Sequence, residues 1–571
     1  MPTLVCVPIM VRTVEGAHAH AVQAREHGAD LVEYRIDELF NSPDDTPEVL
    51  RLVETSPLPC IVTCRPAWEG GHYDGDEDAR VSLFERLGAS DRPPRYIDVE
   101  LAAYTRSANF RQKVNLAVEH PKQPRDVTTR LILSSHDFAG RPADLTRRVL
   151  AMQAEPAAAV HKVAFRARSL RDNPELFDML AERTKPTIAL GMGEFGLMSR
   201  VLAPKFGGFL TFASLRPEEV TAPGQPTVGE LLQKYRFRAI NEKTRVYGIV
   251  GWPVGHSMSP LMHNAGFDEV GHDGVYVPLP IAAGVPPETT PSEPARDGPV
   301  SPGDADASYA SFKATMLELV HHPRLDFAGC SVTLPHKENL AELAFEEGWY
   351  LDTQALLSRA ANTLVVQREE SGAFRAAHAL NTDVDAALSC IRDALGTLEG
   401  KRIALLGAGG VARAIAFGLV SEGSHVTVFN RTPERAERIA RDIAATHFSW
   451  AGPGGPTRPG TAAAAPWERR AGANPDAYIN CTAVGMTGGP APDESPLPVE
   501  AFAPAGEGVV METIYNPIRT RLLSDAQVAG WRTIDGVEMF VGQGARQFEL
   551  WTGRPAPRDL FRRLVRGALG R

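Results

Sequence analysis

One lysine sits inside an otherwise apolar, β-rich run, Val160-His161-Lys162-Val163-Ala164-Phe165. Burial there works against the charged ammonium and favours a neutral amine that can attack a ketone. The protonated imine that results draws electrons, so a proton alpha to the former carbonyl becomes easier to remove. His136, at the end of the preceding β-rich run, is placed to shuttle that proton. Glu33, Arg35 and Arg65 also interrupt apolar runs, and Glu69 follows shortly after. Burying any of these charges unpaired is costly. Taken singly, Lys162 reads as a snorkelling strand-end group and His136 as a satisfied core residue. The set as a whole points to imine chemistry.

A second chemistry belongs to the other half. The stretch RIALLGAGGVARAIAFGLV reads as strand, glycine turn and helix, and HVTVFN (His425–Asn430) follows as a second strand. That is the order of a dinucleotide-binding unit. Gly407, Ala408, Gly409, Gly410, Val411 and Ala412 form the turn that lets backbone approach a pyrophosphate at a helix N-terminus. The second strand ends in Asn430-Arg431-Thr432 rather than in Asp or Glu. An Arg there suits a 2′-phosphate, so NADP(H) is expected over NAD. Ahead of this unit stand polar clusters: GHSMSP (Gly255–Pro260), SVTLPHK (Ser331–Lys337), AANT (Ala360–Thr363) and NTD (Asn381–Asp383). Ser257 and Ser259, at alternate positions of a segment read as extended, offer two hydroxyls to a carboxylate. Lys337 and Asp383, if brought together, form a proton-transfer pair beside a carbonyl; an ordinary salt bridge is the plainer alternative.

These residues need elements to hold them. Eight β-rich runs precede residue 240: Leu4–Met10, Asp30–Asp37, Cys60–Arg65, Tyr96–Leu101, Arg130–Asp137, Ala159–Phe165, Thr187–Met192 and Phe209–Leu215. Helical spacing fills the gaps, which fits a (β/α)8 barrel with its chemistry at the carboxyl ends of the strands; an open doubly wound sheet has the same pattern. The polar, basic stretch Gln233–Arg245 reads as a linker. Strand–helix alternation resumes at Val246, broken by two insertions, 284–308 and 451–475, whose compositions read as mobile surface loops.

A net charge of −10 argues against nucleic acid or an anionic membrane as the main partner, and leaves small molecules. No uncharged apolar stretch approaches the roughly 20 residues of a membrane span. Met1–Val11 lacks the layout of a signal or transit peptide, so a cytoplasmic location is expected. The scattered cysteines Cys6, Cys60, Cys64, Cys330, Cys390 and Cys481 suggest neither a metal site nor disulfides.

The segments EYRID (Glu33–Asp37), TCRPAWEGG (Thr63–Gly71), SHDF (Ser135–Phe138), HKVAF (His161–Phe165), MGEFGLMSR (Met192–Arg200) and TAPGQPT (Thr221–Thr227) together resemble type I 3-dehydroquinate dehydratase. The resemblance implies a (β/α)8 barrel over 1–238 and a Schiff base between Lys162 and dehydroquinate. It makes His136 the proton shuttle, oriented by Glu69, and Arg200 the carboxylate fork. Glu33, Arg35 and Arg65 line the hydroxyl side, and Thr221 and Gln225 belong to a closing loop. Thr221 stands where the family usually has Ser.

From Val246 onward, the polar clusters together with INCTAVGM (Ile479–Met486), IYNP (Ile514–Pro517) and GVEMFVGQGARQF (Gly536–Phe548) resemble shikimate dehydrogenase. That resemblance implies a linker at 239–245, an α/β substrate domain at 246–390, a Rossmann NADP domain at 391–535, and C-terminal helices at 536–571 returning to the substrate domain. It implies that Ser257, Ser259 and Tyr515 hold a carboxylate. Thr333, Asn362, Asp383 and Gln543 take ring hydroxyls, and Gln547, one helical turn on, faces the same ligand. Thr482 and Met486 join the cofactor residues, and no metal is implied. Ser331 and Cys481 stand where Asn and Ala are usual. Ser259 and Thr333 are the shikimate-type residues, which makes quinate secondary. A regulator built on the same domains would lack Lys162, His136, Lys337 or Asp383, and all four are present; a chain with one live domain and one scaffold is told apart by assaying each half. The fold expected is thus α/β throughout, a barrel followed by a two-domain dehydrogenase.

Overall fold

The computed structural model describes residues 2–119, 128–219, 222, 224–282, 302–445, 460–502 and 508–570. Eight parallel strands come first: β1 (Leu4–Met10), β2 (Leu31–Arg35), β3 (Cys60–Thr63), β4 (Tyr96–Glu100), β5 (Arg130–Asp137), β6 (Ala158–Arg166), β7 (Thr187–Met192) and β8 (Leu210–Phe212). They run β7-β6-β5-β4-β3-β2-β1-β8, with helices between. The Phe209 N–H donates to Thr187 O at 2.8 Å and brings the two edge strands together. The sheet is therefore a nearly closed barrel, not an open doubly wound sheet. Its strands are apolar on both faces because one face fills the barrel and the other meets the helices; the five central residues of β1 are all buried.

The expected linker is not a free tether. Tyr235, Phe237 and Ile240 are buried. Arg238 donates to Asp30 and Gly28, and the Lys205 ammonium donates to Glu242 O, Thr244 O and the Asp326 carboxylate.

A second, mixed sheet follows: β9 (Arg245–Gly251), β10 (Gly274–Pro280), β11 (Phe327–Val332), β12 (Tyr350–Leu351), β13 (Thr363–Arg368) and β14 (Phe374–Leu380), ordered β10-β9-β11-β13-β14-β12. The C-terminal helices Gly536–Thr552 and Arg558–Leu569 pack on it through Val537, Phe548, Trp551 and Phe561, against Tyr247, Phe267 and Tyr276. The third sheet is parallel: β15 (Arg402–Leu406), β16 (His425–Asn430), β17 (Thr461–Pro466), β18 (Ala477–Asn480), β19 (Val509–Glu512) and β20 (Arg532–Ile534), ordered β17-β16-β15-β18-β19-β20.

Both insertions contain more structure than their composition suggests. Residues 284–301 and 451–459 lie outside the described residues, but the helix Pro302–His321 begins within the first insertion. β17 lies within the second and pairs along β16 from His425 to Asn430. An alanine-rich edge strand carries little β-propensity of its own; the exposed edge of β16 supplies its ladder.

Candidate active sites

The first site lies at the carboxyl ends of the barrel strands. One cavity there is lined by Glu33, Arg35, Arg65, Glu69, His136, Lys162, Arg200 and Gln225, with Phe138, Leu190, Met192 and Phe212 as apolar walls. Thr221 lies outside the described residues. Lys162 is buried, but it is not the isolated amine that its apolar neighbours suggest. Its Nζ donates to Asp98 Oδ2 at 2.8 Å and to Glu33 Oε1 at 3.4 Å, and lies 4.7 Å from the centre of the Phe212 ring. Arg65 donates to Asp98 (2.8 Å), Glu100 (2.7 Å) and Ser134 (3.0 Å), and Arg80 holds the far side of Glu100 at 2.7 Å. Register explains the cluster: Ser134 of β5 sits between Glu100 of β4 and Lys162 of β6. Burial works against the charge on Asp98, but Arg65 and Lys162 outweigh it and hold that carboxyl far below the usual range.

His136 Nδ1 and its backbone N–H both lie 2.9 Å from Glu69 Oε1. With Nδ1 protonated, Nε2 keeps a lone pair. Burial, reinforced by the Arg65 and Lys162 charges, pushes the His136 imidazole well below its ordinary pKa and keeps it neutral. Burial also raises Glu69 to about 7. Arg200 is 1% exposed, and its Nε and Nη2 have no partner among the described residues. Desolvation lowers it to about 10. A buried guanidinium with unmatched donors is suited to a bidentate carboxylate. Gln225 is buried beside this wall. Its neighbour Gly224 (φ +70) leans on Gly193, where any Cβ would come within 2.1 Å of the carbonyl. Arg35 reaches the cavity with its guanidinium paired to Asp37 at 2.9 Å.

The second group converges on one edge of the mixed sheet. β9, β11 and β14 end there and β13, antiparallel, begins there, with Ser331 opposite both Ile249 and Thr363. Lys337 Nζ donates to Asp383 Oδ2 at 2.6 Å, and Ala361 N donates to Lys337 O, which sets Asn362 beside the pair. Asn362 Oδ1 accepts from Thr363 Oγ1, Thr382 N and Thr382 Oγ1, so its amide nitrogen is the group left to offer. Thr333 packs against Gly251, and the Tyr515 ring lies 4.6 Å from that of Phe540, one turn before Gln543. One expectation changes. Ser257 and Ser259 do not share an extended segment: Ser259 opens the helix Ser259–Glu269, and its N–H donates to Ser257 Oγ at 3.2 Å. Gln547 lies one helical turn past Gln543, against Asn362 and Thr363. It is fully buried, accepts from Ser331 Oγ, and donates to Asn362 O and Thr363 Oγ1.

The third site is a cavity over β15, β16 and β18, lined by Gly407, Ala408, Gly409, Asn430, Arg431, Thr482, Trp467 and Arg470. Gly407 (φ +107) passes 2.8 Å from Cys481 O, measured from the Cβ it lacks, so only glycine fits. Open space lies over Gly409 and Gly410, at the N-terminus of the helix Gly410–Ser421. Backbone amides, a helix dipole and the exposed Arg431 make a set of donors that fits a dinucleotide phosphate. Thr432 O accepts from Asn430 Nδ2. Val411 is half-buried, and Ala412 is buried, so Ala412 brings backbone only. Thr482 Oγ1 donates to Asn480, and Met486 is exposed outside the cavity wall.

Sequence reasoning missed Asp98, Glu100, Arg80, Trp467 and Arg470. The first two had a visible signal: acids two apart inside the apolar run Tyr-Ile-Asp-Val-Glu. Among the described residues no helix is long and apolar enough to cross a membrane, and no cluster could hold a metal ion.

Comparison with known families matches residues 5–242 to type I 3-dehydroquinase, 249–292 to the shikimate dehydrogenase substrate binding domain, 389–450 to shikimate/quinate 5-dehydrogenase, and 536–566 to the shikimate 5′-dehydrogenase C-terminal domain. The chain is 34% identical over 580 residues to the chloroplastic bifunctional 3-dehydroquinate dehydratase/shikimate dehydrogenase of Arabidopsis thaliana, covering 98% of this chain and 84% of that one. It is 35% identical over 325 residues to the shikimate dehydrogenase (NADP(+)) of Methanosarcina acetivorans, covering 57% of this chain and 99% of the other. Among solved structures, the dehydroquinate dehydratase and shikimate dehydrogenase from S. pombe AroM aligns over 99% of this chain and 98% of its own, at 22% identity and a TM-score of 0.41.

Proposed function

Because the chain belongs to the family of bifunctional 3-dehydroquinate dehydratase/shikimate dehydrogenases, we propose that it dehydrates 3-dehydroquinate to 3-dehydroshikimate and reduces that product to shikimate with NADPH. The observation that carries the dehydratase is the single cavity shared by Lys162, His136 and Arg200. Lys162 Nζ adds to the C3 ketone and water leaves, giving an imine. Asp98 and Glu33 flank the charged nitrogen, Arg200 holds the substrate carboxylate, and Arg35 and Arg65 lie on the hydroxyl side. His136, oriented by Glu69, takes the alpha proton and returns it to the departing hydroxyl, and hydrolysis of the imine then frees the product. Gln225 closes over the substrate.

In the dehydrogenase, Ser257, Ser259 and Tyr515 receive the carboxylate, while Thr333, Asn362 and Gln543 receive ring hydroxyls. Gln547, one helical turn past Gln543 and bonded to Asn362 O, faces the same ligand. Lys337 and Asp383 deliver the proton to the reduced carbonyl oxygen. Gly407, Ala408, Gly409, Gly410, Val411, Ala412, Asn430, Arg431, Thr432 and Thr482 hold the cofactor, with Met486 at its margin. NADPH, when bound, supplies the hydride. The functional units assigned are 1–238, 246–390, 391–535 and 536–571, joined at 239–245, in a cytoplasmic enzyme.

Borohydride reduction with 3-dehydroquinate, followed by mass mapping, tests the first half. An adduct at Lys162 is expected, and one at any other lysine overturns the mechanism. NADP-linked oxidation of shikimate by the same chain tests the second.

A further inference from the structure

The barrel meets the dehydrogenase next to residues of both sites. After β7 the chain turns through Gly193 (φ +87) into the short 3-10 turn Glu194–Gly196, and Arg200 follows on the helix Leu197–Val201. The Phe195 ring from that turn lies against the ring of Trp252, with centroids 5.3 Å apart and planes within 1° of parallel. Trp252 directly follows β9 and opens the segment that carries Ser257 and Ser259. Glu194 Oε1 passes 3.7 Å from the Cβ position of Gly255 in the same segment.

The two sides of this contact are held differently. On the barrel side, the fully buried Asn173 donates to Phe195 O at 2.9 Å and accepts from Ser199 N, while Ser199 Oγ accepts from Gly191 N. That side is a tied corner. On the dehydrogenase side, Trp252 N donates to Leu334 O, but Pro253, Gly255 and His256 are exposed. An aromatic stack orients its partner beyond the area it covers.

We propose that Phe195 is a positioning residue for the dehydrogenase: through Trp252 it sets the segment whose Ser257 and Ser259 take the substrate carboxylate. This rests on the dehydrogenase reading above. It requires one barrel side chain to govern shikimate binding without touching shikimate, NADP or the proton-transfer pair.

Steady-state oxidation of shikimate by the full chain, with NADP varied in parallel, tests it. Phe195→Ala is expected to raise KM for shikimate about three- to tenfold, the worth of an aromatic pair, with kcat and KM for NADP unchanged. Phe195→Tyr, which keeps the ring, is expected to restore the wild-type KM. An unchanged shikimate KM in Phe195→Ala overturns the proposal, as does an equal rise in KM for NADP. Should Phe195→Ala fail to fold, Phe195→Leu keeps apolar bulk without a flat ring; the same rise in KM supports the stack, and a wild-type KM overturns it. A wild-type chain that does not oxidise shikimate removes the dehydrogenase reading itself, whereas an active chain insensitive to Phe195 removes only the positioning role.

Discussion

Lys162 of β6 and Asp98 of β4 meet across β5, Nζ to Oδ2 at 2.8 Å, so the lysine rests as half of a buried ion pair. The second Asp98 oxygen accepts from Arg65 at 2.8 Å and from Ser134 at 2.6 Å. Removing one member of such a cluster strands the others in low dielectric. Asp98→Asn is expected to lower the free energy of unfolding by roughly 3 kcal/mol and to depress the dehydratase, with dehydrogenase KM values unmoved. Denaturant titration beside both assays checks this; wild-type stability in the variant counts against the pairing.

Glu69 gives the dehydratase an acid limb. Its carboxylate accepts from His136 Nδ1, and burial raises its pKa to about 7. Falling pH protonates Glu69 and weakens the hold on the imidazole, which burial keeps neutral. The dehydratase rate is therefore expected to fall as pH drops through about 7. Glu69→Gln, which cannot titrate, should be slower throughout and lose that inflection. A variant profile that keeps the inflection assigns it to another group.

The barrel and the nucleotide turn were legible because their determinants are local. A strand buried on both faces must be apolar along its length, and Gly407 must be glycine because Cys481 O stands 2.8 Å from its missing Cβ. What escaped depended on register. Nothing in Tyr-Ile-Asp-Val-Glu says that Asp98 will reach a lysine two strands away. Nor does helical spacing alone say that Gln547, one turn past Gln543, will bond Ser331, Asn362 O and Thr363. The alternation of Ser257 and Ser259 reads as an extended segment, but Ser259 starts a helix and its backbone N–H donates to Ser257 Oγ.

Arg200 separates stability from binding. Two of its guanidinium nitrogens are buried without a partner among the described residues. Replacing an uncompensated buried charge by an apolar side chain of similar shape is neutral or stabilising. Arg200→Met is expected to raise unfolding free energy by roughly 1 kcal/mol or leave it level, while KM for dehydroquinate rises about 10- to 100-fold, the worth of a charged hydrogen bond. A destabilised variant with normal KM would reverse the assignment.

Lys337 is predicted to act on turnover. It stands 2.6 Å from Asp383 at the edge where β9, β11 and β14 end. Losing a positioned proton donor costs about 10²- to 10⁴-fold in rate. Lys337→Ala should show that fall in kcat for shikimate oxidation, a modest change in KM, and an intact dehydratase. Near-normal turnover would reduce the pair to a salt bridge.

Cofactor preference is predicted to turn on Arg431. It follows β16 directly, is exposed, and lines the cavity beside the glycine turn, where it is proposed to meet a 2′-phosphate on the adenosine ribose. NAD lacks that phosphate. Arg431→Ala is therefore expected to raise KM for NADP about 10- to 100-fold and to leave KM for NAD unchanged. Exposure supplies an independent check, because salt screens exposed charges. In the wild-type chain, raising ionic strength should weaken NADP more than NAD, and in Arg431→Ala that difference should shrink. If both cofactors weaken equally in the variant, Arg431 holds the loop rather than the phosphate, and discrimination lies with Arg470 and Trp467, which line the same cavity.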